Sequence, residues 1–281
     1  MIPANGPARV LVTVKAAPQL SAKYRETVCV AGIYLPETGA PELIRLYPIP
    51  FRYLSEDQQF QKYDIRTFNL ALNGNDARPE SRKVVFQGAV ELEQHLKPWR
   101  ERTEIVEQVE QRTMCELNRA ARDKAPGPSL GLVTPTEVGK IVVRPTPPLT
   151  DADRRARDRA HDQQELNIFD EAESAVTKVL EPPPFSAHLK YRCADRQCSG
   201  HEQGIIDWEL TALQRKVKQL GGADGEIRQA IEKRFLEVPT QSKRVLRIFV
   251  GNQAKRRHVF GVLGLYYPER KDLPPAIGRL F

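Results

Sequence analysis

Residues 191–210, YRCADRQCSGHEQGIIDWEL, hold two of the chain's four cysteines and a histidine in a short segment that ends with acidic residues. Cys193, Cys198 and His201 have the spacing C-x4-C-x2-H. Thiolate and imidazole are ligands that Zn²⁺ prefers, and a loop that turns sharply at Gly200 can bring three of them to one ion. The spacing therefore predicts a zinc loop, with an extended segment before it and a helix after it.

A structural zinc site normally has four protein ligands, and this segment provides three. Candidates for the fourth ligand are the nearby His188, then Glu202 and Asp207, and the more remote His161. If no metal binds, the two cysteines of the segment are free thiols near a helix start. Cys29 lies in an apolar run and Cys115 in a helical pattern, and we interpret both as buried small hydrophobic residues.

The acidic pair Asp207 and Glu209 at the end of the segment supports two interpretations. Converging carboxylates with a lysine such as Lys190 would form the metal-dependent centre of a nuclease. Residues at i and i+2 of a helix point in different directions, however, and helical spacing begins at about Leu210. We therefore favour Asp207 as an N-cap and Glu209 as a first-turn acid stabilised by the helix dipole. Trp208 between them is expected to pack under the metal loop.

Residues 1–97 contain short runs of β-branched and aromatic residues, separated by Pro, Gly, Asn and Ser clusters. The runs are ARVLVTVKA, TVCVAGIYL, LIRLYPI and YDIRTFNLAL, at residues 8–16, 27–35, 43–49 and 63–72. Short strands of this kind can close into a small barrel or pack as a sandwich, and an OB-like barrel is one option. We predict a β-rich, OB-like N-terminal domain over these residues.

The remainder of the chain alternates helical and extended patterns. Apolar residues at helical spacing predict one long connecting helix over residues 98–122. With a returning strand and the charged segment 151–165, this helix forms a connector over residues 98–165. Residues 166–281 contain the zinc loop, two helical patterns near Leu210 and Ile227, and two terminal strands around RVLRIFVGN and HVFGVLGLYYP. The predicted fold class is α+β, with a zinc-loop domain at the C-terminal end.

The composition is that of a globular protein, with 40% hydrophobic and 28% charged residues among 281. No apolar run of about 18 residues predicts a membrane helix, and the N-terminus lacks the apolar core of a secretory signal. The cysteines are too few and too scattered for a secreted disulfide framework. We therefore expect a cytoplasmic protein with no membrane partner.

The net charge of +7 favours a polyanionic partner, and arginines in two segments are candidates for contacting it. Arg45 and Arg52 alternate with aromatic residues in IRLYPIPFRYL, a composition shared by base-stacking surfaces and by the cores of small β-domains. Arg78 and Arg82 lie in the polar segment NDARPESRK. They could hold phosphates at the rim of the barrel, or form a solvated ion-pair network.

Several blocks of the sequence resemble the successive blocks of a widespread bacterial protein family without an assigned function. They include VLVTVKAAPQLSAKYRETVCVAGI, KYDIRTFNL, KYRCADRQCSGHEQGIIDWEL and FVGN followed by FGVLGLYYP, so the likeness spans nearly the whole chain. The opening blocks, with Cys29, Ala31 and Gly32 followed by LIRLYP, are also similar to dual OB-containing domains of bacterial conflict systems. This second resemblance implies an OB-like start and a place in defence against phage or foreign DNA, and it implies no activity.

These features lead to one expected function and two alternatives. We expect a non-catalytic nucleic acid-binding protein, for DNA or RNA, in which Lys255, Arg256 and Arg257 at a predicted hairpin tip contact phosphates. One alternative is the metal-dependent nuclease, and the other is a protein-binding scaffold or sensor subunit in an operon-encoded complex. Phosphate-cradling glycine loops, nucleophile elbows and paired-histidine protease motifs do not occur in the sequence.

Overall fold

A computed structural model of the chain describes residues 1–21, 25–87, 90–123, 126–151, 154–155, 157–158 and 180–275. Most of the charged segment 151–165, and the candidate ligand His161 with it, lie outside the described residues. The fold is mixed α+β, as predicted. No helix in the described part of the chain is long and apolar enough to span a membrane.

The N-terminal part forms a closed barrel of five strands. The first seven strands are β1 Gly6–Lys15, β2 Gln19–Ser21, β3 Arg25–Tyr34, β4 Glu42–Ile49, β5 Asp64–Leu72, β6 Ser81–Val84 and β7 Glu91–His95. Five of them follow the order β1-β3-β4-β6-β5, and β5 pairs back onto β1 to close the barrel. β4 and β6 run parallel, whereas the other pairs of the barrel are antiparallel. This arrangement is compatible with the predicted OB-like barrel.

Alternate side chains of the strands fill the barrel. Val10 and Val12 of β1, Val30 of β3 and Phe68 of β5 are fully buried in its interior cluster. Because the side-chain period of a strand is two, the intervening Leu11 points to the outer face. The outer face of the barrel therefore carries apolar side chains that need a second layer to cover them.

The C-terminal part contains two antiparallel sheets of three strands each. Its strands are β8 Leu130–Val133, β9 Pro135–Pro145, β10 Phe185–Cys193, β11 His201–Gly204, β12 Arg247–Gln253 and β13 Arg256–Tyr266. One sheet has the order β11-β10-β9 and the other β13-β12-β8. The backbone N–H of Ile206 donates to the carbonyl of Val262 at 2.9 Å and links the two sheets. β8 thus lies in one sheet with the last two strands of the chain, and β9 lies in the other sheet beside β10.

Four α-helices have both ends among the described residues: α1 Trp99–Val106, α2 Met114–Arg122, α3 Trp208–Gln219 and α4 Asp224–Glu232. α1 and α2 replace the single long helix predicted over residues 98–122, so that prediction was wrong. The Thr113 hydroxyl accepts from the backbone N–H of Glu116 at 3.1 Å, and the Glu116 carboxylate accepts from the N–H of Thr113 at 2.7 Å. This capping box starts a second helix, and its Thr-x-x-Glu pattern was visible in the sequence.

The barrel and the sheet β13-β12-β8 share one apolar core. Leu11 of β1 and Ile33 of β3, on the outer face of the barrel, belong to the same buried cluster as Leu132 of β8 and Phe249 of β12. These four side chains are at most 2% exposed. Burying a side chain of this size contributes about 1.5–3 kcal/mol. The C-terminal part therefore closes the outer face of β1 and β3.

Candidate functional site

Four candidate metal ligands meet between helix α2 and the connection from β10 to β11. Cys115 lies in the first turn of α2, Cys193 ends β10, Cys198 lies in the connection and His201 begins β11. The His201 Nε2 atom lies 3.6, 3.4 and 3.3 Å from the Sγ atoms of Cys115, Cys193 and Cys198. All four ligand atoms lie within 4.8 Å of one another. This Cys3His cluster could therefore bind a metal ion.

The geometry of the cluster suits a tetrahedral ion. A cysteine sulfur at about 2.3 Å and a histidine nitrogen at about 2.0 Å from such an ion lie roughly 3.5 Å apart. The three sulfur-to-nitrogen distances in the cluster are close to that spacing. Four protein ligands would fill every tetrahedral position and leave none for water or a substrate, which is the arrangement of structural metal sites.

A tight turn brings Cys198 back to Cys193. The N–H of Cys198 donates to the carbonyl of Asp195 at 3.0 Å, and the N–H of Cys193 donates to the Sγ atom of Cys198 at 3.4 Å. Gly200 has a φ of +105°, a conformation that glycine adopts readily because it has no Cβ. The loop therefore turns at Gly200, as the sequence predicted.

The fourth member of the cluster is Cys115 and not the predicted His188. Side chains along β10 alternate between a buried and a more exposed face, and Cys193 lies on the buried one. His188 is an odd number of residues away and so lies on the opposite face, where its Nδ1 atom is 3.2 Å from Nη1 of Arg144. Cys115 is only half-buried, and its interpretation as a simple buried hydrophobic residue is corrected as well.

Helix α2 carries Cys115 to the cluster, and its contacts hold it there. Arg119 of α2 forms a salt bridge with Asp195 of the turn, at 2.7 Å. The Nε2 atom of Gln203, on β11, donates to the sulfur of Met114 at 3.1 Å. A cysteine in the first turn of a helix that begins with a capping box was the available sequence signal for this ligand. Its partners lie far away in the sequence, so the pairing itself had no local signal.

Burial and hydrogen bonding set the protonation of the cluster. Burial, followed by the neighbouring thiols, raises the pKa of the Cys115 thiol to about 12. Burial alone would also raise the pKa of Cys198, but N–H groups of Cys193 and Gly200 stabilise its thiolate and leave that pKa lowered. Burial lowers the pKa of His201, which favours the neutral imidazole that binds metals. A divalent cation would compensate thiolates that burial otherwise penalises.

Asp207 and Glu209 lie at the start of α3 and have other cationic partners than the predicted Lys190. The Oδ1 atom of Asp207 accepts from the N–H of Glu209 at 2.9 Å, so the predicted N-cap is confirmed. The Nζ atom of Lys62 lies 2.9 Å from Glu209 and 3.9 Å from Asp207. Lys190 instead pairs with Glu202 at 3.0 Å. Asp207 and Glu209 therefore share Lys62, whereas Lys190, the lysine considered for a nuclease, pairs elsewhere.

The two carboxyls at the start of α3, buried Asp207 and half-buried Glu209, have opposite pKa shifts. Burial raises the pKa of Asp207 to about 6. Burial would also raise the pKa of Glu209, but the positive charges of Lys62 and Arg234 outweigh it and leave the pKa lowered. Arg234 lies 2.5 Å from the Glu209 carboxylate. Glu209 is thus held as a charged partner of two cations, in agreement with its predicted place in the first turn.

Two of the arginines considered for phosphate binding, Arg45 and Arg82, lie inside the protein. Arg45 is 2% exposed, and its Nη2 atom donates to the carbonyl of Ser129 at 2.9 Å. The Glu80 carboxylate accepts from the N–H of the same serine at 2.7 Å. Arg82 is 9% exposed and donates to carbonyls of the N-terminal segment. Arg45 thus connects the barrel to the C-terminal part, and Arg82 fixes the start of the chain.

The other two arginines, Arg52 and Arg78, are engaged in ion pairs. Arg52 forms a salt bridge with the buried Glu26. Arg78 forms one with Asp76, at 2.6 Å, and both side chains are at most 10% exposed. Arg78 therefore takes part in an ion pair, as the ion-pair interpretation of this loop predicted.

The β12–β13 hairpin lies beside the loop that joins β5 to β6. The Nη1 atom of Arg78 donates to the carbonyl of Asn252 at 2.7 Å, and Asn252 Nδ2 donates to the carbonyl of Arg257 at 2.9 Å. Lys255 and Arg256 at the hairpin tip are exposed, and Arg257 is half-buried. The fold therefore brings together the polar loop and the basic hairpin, which are far apart in sequence.

Comparison with known protein families gives two matches that together cover nearly the whole chain. A family described as Domain of unknown function (DUF8757) matches residues 109–280, which is more than half of the chain. A second, Domain of unknown function (DUF8758), matches residues 7–108. No curated protein matches the chain. The two matches meet between α1 and α2, so the barrel lies in one and the Cys3His cluster in the other.

Proposed function

This chain belongs to the family described as Domain of unknown function (DUF8757), and we propose that it is a non-catalytic nucleic acid-binding protein with a structural zinc ion. The main supporting observation is the basic β12–β13 hairpin at the rim of the barrel, with Lys255 and Arg256 exposed. The Cys3His cluster supports the second half of the proposal.

The ligand set of the cluster supports zinc as the metal. Three thiolates with one imidazole form a common structural zinc site, whereas magnesium and calcium prefer oxygen ligands. A bound zinc ion would tie Cys115 of α2 to the β10–β11 connection, two segments that are distant in sequence. With all four positions taken by protein atoms, the ion would stabilise the fold and would not activate water.

The closed outer face of the barrel limits where a nucleic acid could bind. OB barrels bind oligonucleotides on an outer strand face and on the loops that follow the first and fourth strands. Here Ile33 of the second barrel strand and Arg45 of the third are buried against the C-terminal part, so the loops at the rim would remain available for binding. The loop after β5, the fourth barrel strand, is one of them, and the basic hairpin lies beside it.

A basic loop tip of this kind suits phosphate groups. Lysine and arginine side chains that neutralise phosphates release condensed counterions, so the affinity falls steeply as salt is added. Such contacts are independent of base sequence. The proposal therefore predicts binding to DNA or RNA that is strongest at low salt.

The hairpin can be tested by charge removal. We expect the wild-type protein to bind fluorescein-labelled single-stranded oligonucleotides at 50 mM salt, as measured by anisotropy. The affinity should fall progressively as the salt concentration rises towards 200 mM. The double variant Lys255→Ala, Arg256→Ala should bind more weakly, and its slope of log K against log salt should be smaller by about 1.4, since each phosphate contact contributes about 0.7. The matched control Lys97→Ala, Arg100→Ala removes one exposed lysine and one exposed arginine elsewhere.

Two results would contradict the proposal. One is that no DNA or RNA, single- or double-stranded, binds at 50 mM salt. The other is that the control variant lowers the affinity and the salt slope as much as the hairpin variant, because the effect would then follow net charge alone.

A further inference from the structure

A groove of about 290 Å³ lies between the barrel and the start of helix α3. Its floor and walls come from the end of β1, the turn after β4 and the first two turns of α3. The residues that define it are Lys15, Pro18, Phe51, Arg52, Trp208 and Arg215. Trp208 thus lies half-buried against the barrel, and not under the metal loop as the sequence predicted. The groove lies at the loop after β1, the first strand of the barrel.

Aromatic rings form two sides of the groove. Phe51 is fixed from behind by the ring of Phe60, edge to face at a centroid distance of 5.0 Å. The Nζ atom of Lys15 lies 4.3 Å from the centre of the Phe51 ring. Trp208 provides the other ring of the lining. Because one side of Phe51 already holds a cation, Trp208 is the ring on which a planar ligand would stack.

The groove is held open by backbone contacts between its two sides. The N–H of Ala17, in the loop after β1, donates to the carbonyl of Ile206 at 2.7 Å. Ala16 forms a β-bridge with Asp207, the N-cap of α3. These bonds lie immediately before Trp208, so they fix its position relative to the barrel. The groove is therefore formed in advance of any ligand.

The charged groups in the described lining are all cations: Lys15, Arg52 and Arg215. Arg52 is held by its salt bridge to Glu26, and Lys15 donates to the carbonyl of Phe60 at 3.2 Å. Arg215 donates through Nη2 to the carbonyl of Glu181 at 3.1 Å, while its Nε atom is buried without a hydrogen-bond partner. The three cations of the lining favour an anionic ligand in the groove.

We propose that this groove binds one unpaired base of a single-stranded nucleic acid, stacked on Trp208, with a flanking phosphate bound by Arg215 and Lys15. This inference rests on the proposed nucleic acid binding and assigns it a second contact. Small-ligand pockets span about 300–1,000 Å³, so this groove suits one ring system. Aromatic rings beside cations are the combination by which single strands are bound, since a base in a duplex cannot stack on a protein ring.

The groove and the basic hairpin would act as separate contacts. β1 and β5 are antiparallel, so the loop after β1 and the loop after β5 lie at opposite ends of the barrel. The hairpin lies by the second loop and the groove by the first. Removing the hairpin charges should lower the affinity for single strands and for duplexes alike. Removing the Trp208 ring should lower the affinity for single strands only.

Tryptophan fluorescence can test the groove directly, because the chain has two tryptophans and the other is Trp99. The variant Trp99→Phe keeps an aromatic ring among its tyrosine neighbours and leaves Trp208 as the reporter. We expect oligo(dT) to quench this fluorescence with the same midpoint as the anisotropy titration, and a duplex of equal length to leave it unchanged. Trp208→Leu should lower single-strand affinity at least about fivefold, and Trp208→Phe should retain most of it. Arg215→Met should lower the affinity for single strands as well.

The outcomes separate this inference from the proposed function. If oligo(dT) binds through the hairpin but neither quenches Trp208 nor responds to Trp208→Leu, the groove assignment is overturned and nucleic acid binding stands. If no nucleic acid binds at 50 mM salt, both are overturned. If AMP alone quenches Trp208 as well as an oligonucleotide does at equal concentration, the groove is a mononucleotide site and the strand assignment is overturned. Circular dichroism and bound-metal content establish that each variant is folded.

Discussion

At the scale of single residues, Cys115 shows why local spacing reveals only part of a candidate metal site. Cys193, Cys198 and His201 lie within nine residues, so local spacing indicates that they converge. Cys115 reaches them only because α2 packs against the β10–β11 connection. His188 was closer in sequence, but the alternation of β10 turns it to the opposite face. A residue that is close along a strand is therefore a poor candidate ligand when an odd number of residues places it on the opposite face.

The proposed zinc site predicts which substitution releases the metal. Cys115→Ser should lower bound zinc, measured by plasma mass spectrometry after dialysis, from one ion per chain to well below one. It should also lower Tm towards the value of chelator-treated wild type, because metal binding is coupled to folding. His188→Ala is the matched control and should keep the full zinc content. The opposite pattern, with metal lost from His188→Ala and kept in Cys115→Ser, would contradict the cluster.

At the scale of secondary-structure elements, capping decided where helices begin. Apolar spacing predicted one helix over residues 98–122, whereas the capping box of Thr113 and Glu116 divides that region in two. At α3 the same kind of reasoning succeeded, since Asp207 caps the helix as expected. Side chains that satisfy the free N–H groups of a first turn thus define helix starts more sharply than periodicity does.

The buried cap of α3 predicts a pH-dependent stability. Burial raises the pKa of Asp207 to about 6, so the folded protein binds this proton more tightly than the unfolded chain. The carboxylate therefore costs stability above about pH 6, and the cost disappears as the pH falls towards 4. Asparagine also caps helices but carries no charge. The unfolding free energy of Asp207→Asn relative to wild type should thus rise between pH 4 and 7, by at most about 3 kcal/mol.

Urea unfolding of both proteins at several pH values measures this difference. Glu93→Gln is the control. Hydrogen bonding to Arg9 lowers the pKa of Glu93, so the Glu93 carboxylate stabilises the fold and this contribution is lost only as the pH falls below about 4.5. The stability difference between Glu93→Gln and wild type should therefore change only below that pH. A difference for Asp207→Asn that stays constant from pH 4 to 7 would contradict the burial of its charge. Loss of a metal-dependent nucleic acid cleavage with unchanged stability would favour the nuclease alternative instead.

At the scale of the whole molecule, the covered barrel face explains several residues at once. Arg45 looked like a surface arginine because it lies among aromatic residues on a barrel strand, yet it hydrogen-bonds Ser129 across the interface. Glu80 meets the same serine from the loop after β5. The C-terminal sheet occupies the face that an isolated barrel would offer to a ligand. Binding is therefore proposed at the rim and in the groove beside α3.

The shared core predicts a large cost for an outward-facing barrel residue. Leu11→Ala should reduce the free energy of unfolding by about 2–5 kcal/mol, because Leu11 is fully buried between barrel and sheet. Leu92→Ala, at a leucine that is 49% exposed on β7, should change it by less than about 1 kcal/mol. Denaturant unfolding of the full chain measures both. Equal, small losses for the two variants would show that the outer face of the barrel is not covered.

Local signals in the sequence were enough for the β-rich N-terminal third, the α+β class, the convergence of Cys193, Cys198 and His201, and the cap at Asp207. Each depends on contacts between residues close along the chain, where alternation, turn residues and capping act directly. The strand order, the place of Cys115 in the cluster, the burial of Arg45 and the groove at Trp208 depend on which distant segments pack together. Such packing depends on the apolar area that whole layers bury against each other, and a short stretch of sequence does not determine that area.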